Sequence, residues 1–500
     1  MRFLFFNLLV TCTLIASTLH LATSSNPSRL NPILATDSAS SEITGFIFNG
    51  LLKYDENGTI VGDLAEDFYF ENNVTLILKL RHNVTWHDGA PFRAKDVVFT
   101  YDMINDDQVV SPYTSTFRMV KSVEAVDDYT IKVIYKEPYF KALETWMMGI
   151  LPYHILKDEK NLMSAAFNTA PIGTGPYKLK RLEFSKNIEL EAYDHYFEGK
   201  AKIEYLTFHV IADPMTRFLM LQSGELDVGS LEAMQFERQL NSNFLMHFNR
   251  VEEISHTYIY LGFNLRRDKF KDSRVREALS LAINRQMLGD VLFLKHGQAC
   301  SGPFHPSVAG FNPDISVPKR NIARAKALLK EAGYDEKHSL EFEIATSNSS
   351  SIRPYAAEIL QQQLQEVGVK VKLRVMEWQA FLNMVVFPRN FDTVLLGWSL
   401  SLTPDPYLIW HSDNDKAGGF NFIGYHNKEV DAKITAMEAS IDRDKVAALQ
   451  RDIFADIVKD NAYLFLYIPN SIEVYNKRIK NVRPAVTGLM HNIIEWEIEE

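Results

Sequence analysis

LEFEIATSNSSSIRPYAAEILQQQLQEVGVKVKLRV occupies residues 340–375. It opens with LEFEIAT, which alternates apolar and polar, the period of a half-buried strand. From Pro354 the rhythm changes. Ala356, Ile359, Leu360, Leu364 and Val367 recur three and four apart, which places them on one face of a helix. Gly368 can adopt the left-handed conformation that ends a helix. Alternation then returns in VKVKLRV from Val369. Strand, helix, strand is a βαβ unit, and it predicts two parallel strands in an α/β layer. FDTVLLGW, residues 391–398, supplies a further strand of buried type.

The segments upstream carry the same signature. SRVREALSLAINRQML, 273–288, places Val275, Ala278, Leu279, Ala282 and Ile283 on one helical face, with Asp272 or Ser273 as cap. NIARAKALLKEAGY has Asn321 as cap and Gly333 as stop. The first third reads differently. TLHLAT (18–23), VTLILKL (74–80) and IKVIYK (131–136) are short strands between turn residues and predict a mostly antiparallel region. No internal repeat, low-complexity tract or long linker separates these parts.

Ligands of open α/β sheets bind beyond the C-terminal ends of the strands. LLGWSLSLTPDPYLIWHS, 395–412, follows such an end. It holds Gly397, Trp398, a Pro-Asp-Pro turn around Asp405, and a second Trp at 410. From the residues alone, Trp398 reads as a core-filling aromatic. Asp405 reads equally as a solvent-facing turn residue or as a ligand contact.

Composition narrows the function. A chain of 500 residues implies two or more domains. With 46% hydrophobic and 23% charged residues it is globular. A net charge of −10 argues against a nucleic-acid partner, which would favour a basic face. The two cysteines, Cys12 and Cys300, permit neither an internal disulfide framework nor a cysteine-based zinc site. MRFLFFNLLVTCTLIAS reads as a secretory leader cut near residues 16–18, with lipidation of Cys12 as a minor alternative. No later segment reaches the ~18 apolar residues of a membrane span.

Enzymatic signatures are missing. GWSLS has Ser401 where a nucleophile elbow needs its last glycine, and no phosphate-binding P-loop occurs. GTGPYK, from Gly173, lacks the third glycine of a dinucleotide loop. His411, Asp413 and Asp415 have metal-loop spacing, but KAGGF at 416–420 lacks the remaining ligands, so no metal site is assigned. WHDG, 86–89, reads as a hairpin turn.

The run DLAEDFYFENNVTLILKLRHNVTWHDGAPFRAKDVVFTYDMI, 63–104, resembles the family 5 extracellular solute-binding proteins, the peptide- and nickel-type binding proteins of ABC importers. NPILATDSASSEITGFIFNGLLKYD (31–55), GTGPYKL (173–179), YIYLGFNLRRDKFKDSRVREALSLAINR (258–285), NIARAKALLKEAGY and LLGWSLSLTPDPYLIWHS match the same family in the same order. The resemblance runs from about residue 18 to the end. It implies an α/β, two-lobe, periplasmic-binding-protein type II-like fold with an extra subdomain in the first lobe. Lobe I would combine 18–45, 170–262 and 475–500. The extra subdomain would span 46–169, and lobe II 263–474. Hinge strands would lie near Leu261–Asn264 and Ile468–Val474.

Function follows from the same resemblance. A monomeric, exported, periplasmic protein would close on a small ligand and deliver it to a membrane permease and its ATPase. A peptide is the first expectation, an oligosaccharide or nickel chelate the second, and a secreted hydrolase the distant alternative. No cofactor and no catalytic residue are implied. Gly397 and Trp398 match the family's cleft-lining pair, flanked by Ser399. Peptide-binding members commonly carry an Asp three positions after this Trp, where it meets the peptide's ammonium. Here Ser401 stands in that place, and a neutral hydroxyl makes a weaker hydrogen bond than a carboxylate. Asn264 could bond the ligand main chain from the hinge. Asp37 and Ser38 would face the cleft or cap a helix starting near Ser41. Tyr407 and Asn421 are further cleft candidates.

Overall fold

The computed structural model describes residues 17–499 except 36, 112, 241, 349, 351, 417 and 418. The leader expected over 1–17, including Cys12, lies almost wholly outside the described residues.

The βαβ unit forms as its periodicity predicts. Glu341–Ser347 and Lys370–Met376 pair in parallel, joined by the helix Ile352–Gln365. Ala356, Leu360 and Leu364 on that helix are completely buried, and each leucine contributes about 1.5–3 kcal/mol by leaving water. Gly368 has φ +83° and Gly333 φ +91°, so both stops are left-handed. Thr393–Ser399 pairs in parallel with Glu341–Ser347 on one side. On its other side it pairs antiparallel with Thr257–Phe263, and that strand with Tyr463–Asn476. One face of this sheet packs on the helices Ser273–Ala282, Arg285–Phe293, Ile322–Glu331 and Ile352–Gln365. The other face packs on Lys428–Glu438 and Arg443–Asp460.

The helix expected over 273–288 is two helices. Ile283 is extended (φ −89°, ψ 128°), and Asn284 caps the second helix by accepting from the Met287 N–H. The backbone N–H of Asn284 donates to Gln363 Oε1 at 2.7 Å. Buried Arg285 donates to the Ser280 carbonyl, freed by the break, and to the Phe465 carbonyl on the adjacent strand. These partners are remote in sequence, so periodicity could not register the interruption.

Lobe I is built on a four-stranded sheet. Thr18–Thr23 runs parallel to Tyr205–Val210, followed by Asn187–Ala192 and Tyr177–Glu183. The expected antiparallel region forms Ala65–Asn72, Thr75–Leu80, Thr130–Tyr135 and Val120–Asp127 in that spatial order. Its core is continuous with that of lobe I: Leu19, Ile47, Leu78, Trp86, Ile131 and Leu206 belong to one buried cluster. GTGPYK works through close approach. A Cβ on Gly173 would lie 1.8 Å from the Ile47 carbonyl oxygen, and one on Gly175 2.4 Å from that of Phe46.

Tyr463–Asn476 serves both lobes. Its first half pairs with Thr257–Phe263, its second half with Phe248–Ile254. The neighbouring chain changes partner at Ser255–His256, where the Ser255 N–H donates to the Pro469 carbonyl at 3.0 Å.

Candidate ligand-binding site

Trp398 combines the two readings of its sequence context. Its position opposite Tyr258 aims it at the face covered by Lys428–Glu438. Its ring lies parallel to Tyr260 (6.4 Å, 5°) and to Phe422 (5.7 Å, 10°), and tilts edge-on to Phe420 (5.9 Å, 63°). The indole N–H points to the Tyr463 hydroxyl at 3.4 Å. The ring is nevertheless only half-buried, and Phe420 beside it is 42% exposed. The strand thus ends in an aromatic layer anchored in the core and open at its rim. Gly397 permits that layer's backing strand to approach, because a Cβ would meet Ile259 Cδ1 at 2.7 Å and the Tyr258 carbonyl oxygen at 3.1 Å. Ser399 is exposed opposite Thr257.

Residues 401–407 meet side chains from the first third of the chain, Tyr54, Arg118 and Glu144. Ser401 is exposed, and its hydroxyl donates to the Thr403 carbonyl at 2.5 Å. The Thr403 hydroxyl lies 3.2 Å from that of Tyr54 and donates to Glu144 Oε1 at 2.9 Å. Asp405 accepts from the Tyr407 N–H at 3.0 Å, at the start of the short helix Tyr407–Trp410. It is half-buried beside a charged group rather than free in solvent. That group is Arg118, which pairs with Glu438 and sits over the ring of Tyr407 at 4.6 Å. The Phe140 N–H also donates to the Glu438 carbonyl at 3.1 Å. Burial and the Asp405 charge push the Glu438 carboxyl up to about 7, against the pull of Arg118.

Tyr54, Arg118, Phe140, Glu144 and Glu438 were not foreseen from the sequence. One signal was available: Glu438 follows Val430, Ile434 and Met437 on the buried face of its helix, where a carboxylate requires a partner.

Two expected contacts do not hold. Asn264 is 2% exposed, and its amide donates to the carbonyls of Arg389 (3.1 Å) and Phe391 (2.9 Å). Its oxygen accepts from the Arg266 N–H and guanidinium. All its hydrogen-bonding capacity is used by Arg389, Phe391 and Arg266, so it braces a turn. Asn421 is fully buried and bonded to both main-chain groups of Tyr425.

Asp37 caps a helix that starts at Ser38, ahead of Ser41. It accepts from the Ser40 N–H (2.8 Å) and from the hydroxyls of Ser40 (2.7 Å) and Ser28 (2.5 Å). Partial burial opposes ionisation, yet these donors hold its carboxyl below the usual range. Ser38 and Glu42, from the same helix, line a cavity of about 470 Å³ with Ser24, Gly229, Ser230 and Glu473. Glu42 is reached by solvent through the cavity, but the walls exclude enough water, and Glu473 adds enough like charge, to raise it to about 7. The cavity carries acid and hydroxyl groups.

Comparison with known proteins fits this geometry. The model of the bacterial extracellular solute-binding proteins, family 5 middle region, matches residues 59–420. The oligopeptide-binding protein AppA of Bacillus subtilis is 31% identical over 489 residues, covering 94% of this chain and 89% of that protein. The structure of AppA from Bacillus subtilis in complex with a nonapeptide superposes with a TM-score of 0.84 at 30% identity, covering 97% of this chain and 99% of that one. NikZ from Campylobacter jejuni in complex with Ni(L-His) gives a TM-score of 0.84 at 27% identity, with 96% and 99% covered. Among the described residues no helix is long and apolar enough to cross a membrane. The two-lobe α/β fold and the family match together place this chain among the bacterial extracellular solute-binding proteins of family 5.

Proposed function

We propose that this protein captures a peptide outside the cytoplasm, encloses it between two lobes and presents it to an ABC-type permease. One observation carries the reading. The lobes touch at two separate places, at the hinge strand Tyr463–Asn476 and at the contact of Tyr54 and Arg118 with Thr403 and Glu438. Space bounded on two sides in this way traps a ligand when the lobes close. The peptide-binding relative AppA supports the choice of ligand. We place the turn between the lobes at Ser255–His256 and Pro469–Asn470, ahead of the Leu261–Asn264 expected from the sequence, because Thr257–Phe263 pairs within the second sheet; lobe I then comprises 18–45, 170–254 and 471–499, the extra subdomain 46–169 and lobe II 257–468.

Trp398, Ser399 and Ser401 form the ligand wall on lobe II, Asp405 and Tyr407 its charged edge, and Ser38 the facing wall on lobe I. Ser401 turns to the Thr403 carbonyl and Asp405 lies beside Arg118, so neither of these two offers a peptide's ammonium a dedicated carboxylate. Main-chain and side-chain burial would then dominate affinity. Coupling to ATP belongs to a partner ATPase. Native mass spectrometry of freshly purified protein tests the reading. A ladder of peptide masses is expected. Hexose increments, or a mass increment of nickel with an amino acid, would replace the peptide reading.

A further inference from the structure

His296 precedes the strand Gly297–Ala299, which pairs with Tyr467–Pro469 on the lobe II side of the hinge. Its ring faces the opposite lobe. Nδ1 lies 2.6 Å from Glu252 Oε1 on Phe248–Ile254, and Nε2 lies 2.8 Å from Glu237 Oε1 on the helix Ala233–Arg238. A neutral imidazole has one N–H, so it can donate to only one of these carboxylates. Two hydrogen bonds of this length therefore need the imidazolium, which donates from both nitrogens. The surroundings are built for it. The His296 side chain is 13% exposed, its ring stands edge-on to Phe236 with centroids 5.3 Å apart, and Asn470 donates to the same Glu252 oxygen at 2.7 Å. Arg250 lies 3.8 Å from the other Glu252 oxygen and 4.6 Å over the Phe236 ring, a cation on the far side of that carboxylate.

We propose, on the basis of the two-lobe closure above, that His296 is a proton-operated hinge pin whose imidazolium ties Glu237 and Glu252 of lobe I to lobe II and so favours the lobes-together form. The two carboxylates belong to one lobe and the imidazole to the other, so rotation at Ser255–His256 and Pro469–Asn470 changes both distances. Hydrogen bonds of 2.6–2.8 Å do not survive a displacement of an ångström or more. The link is thus present in one arrangement and lost in the other, as a switch requires. Burial works against the cation, but Glu252 and Glu237 outweigh it and hold His296 above the ordinary histidine range. The same contact, with Asn470, holds Glu252 low despite its own partial burial. For a group raised in this way, the stabilisation is complete below the ordinary histidine value and is lost as pH rises through the raised one.

Small-angle scattering of the ligand-free mature chain tests this at about pH 5.5 and about pH 8.5, either side of the histidine range. The wild type should be more compact at the lower pH. His296→Gln, which keeps one donor but no charge, should lose that pH dependence. Glu237→Gln, at a carboxylate 44% exposed to solvent, should reduce it. Equal pH dependence in the wild type and both variants would overturn the proposal, as would a wild type with none. Compaction by added ligand that is the same at both pH values would preserve ligand capture and still overturn the switch.

Discussion

Replacing Arg118 by Met tests whether the extra subdomain clamps lobe II. Arg118 and Glu438 are 24% and 10% exposed, so the pair is neither a surface ion pair nor a fully buried one. Surface pairs contribute about 0–1 kcal/mol, and removing one partner of a buried pair costs about 3–5 kcal/mol. A value between, about 1.5–3 kcal/mol, is therefore expected. The guanidinium also lies over the rings of Tyr407 (4.6 Å) and Tyr139 (5.5 Å). Methionine retains most of the apolar stem and removes the charge. Loss leaves Glu438 and Asp405 as two carboxylates sharing a partly dry site, which is unfavourable until one takes up a proton. On the proposed lobe assignment the contact joins two lobes, so its loss penalises the closed form and not the lobes themselves. Ligand affinity should fall about tenfold to a hundredfold, by the rule of 1.4 kcal/mol per decade. Titration calorimetry with the peptide recovered from the purified protein measures it, and scattering reports the loss of compaction. Unchanged affinity together with unchanged compaction would refute the clamp.

Trp398→Ala should weaken ligand binding about tenfold, roughly 1.4 kcal/mol, and also lower the melting temperature, since its ring stacks on Tyr260 and Phe422. Equal affinity by calorimetry would remove Trp398 from the site. Asn264→Ala should cost about 1–3 kcal/mol of stability in urea unfolding, because the carbonyls of Arg389 and of buried Phe391 lose donors, while ligand affinity stays the same. Glu438→Gln should alter the pH profile of stability. The wild-type carboxyl is raised from 4.5 to about 7, so its contribution is complete below 4.5 and is lost as pH rises through about 7. The variant lacks that loss, and its melting temperature should gain on the wild type across this window.

Much of the architecture was legible in local pattern. Period-2 and period-3.6 runs located Glu341–Ser347, Ile352–Gln365 and Lys370–Met376, because one buried face imposes its spacing on each element. Asn321, Gly333 and Gly368 marked helix ends, because capping chemistry is confined to a few neighbouring residues. The aromatic strand end at Trp398 was visible for the same reason. What tertiary structure decided involves partners far apart in the chain. Asn264 resembled a hinge contact until the carbonyls of Arg389 and Phe391 were brought to it. The 273–288 pattern continued through Asn284, although Gln363 and Phe465 stabilise a break there. Arg118 lies 320 residues from Glu438, and His296 lies 44 and 59 from its two carboxylates. Sequence spacing encodes which face of an element is apolar. It does not encode which charge from another lobe will face a buried carboxylate, because that is fixed only when the two lobes pack.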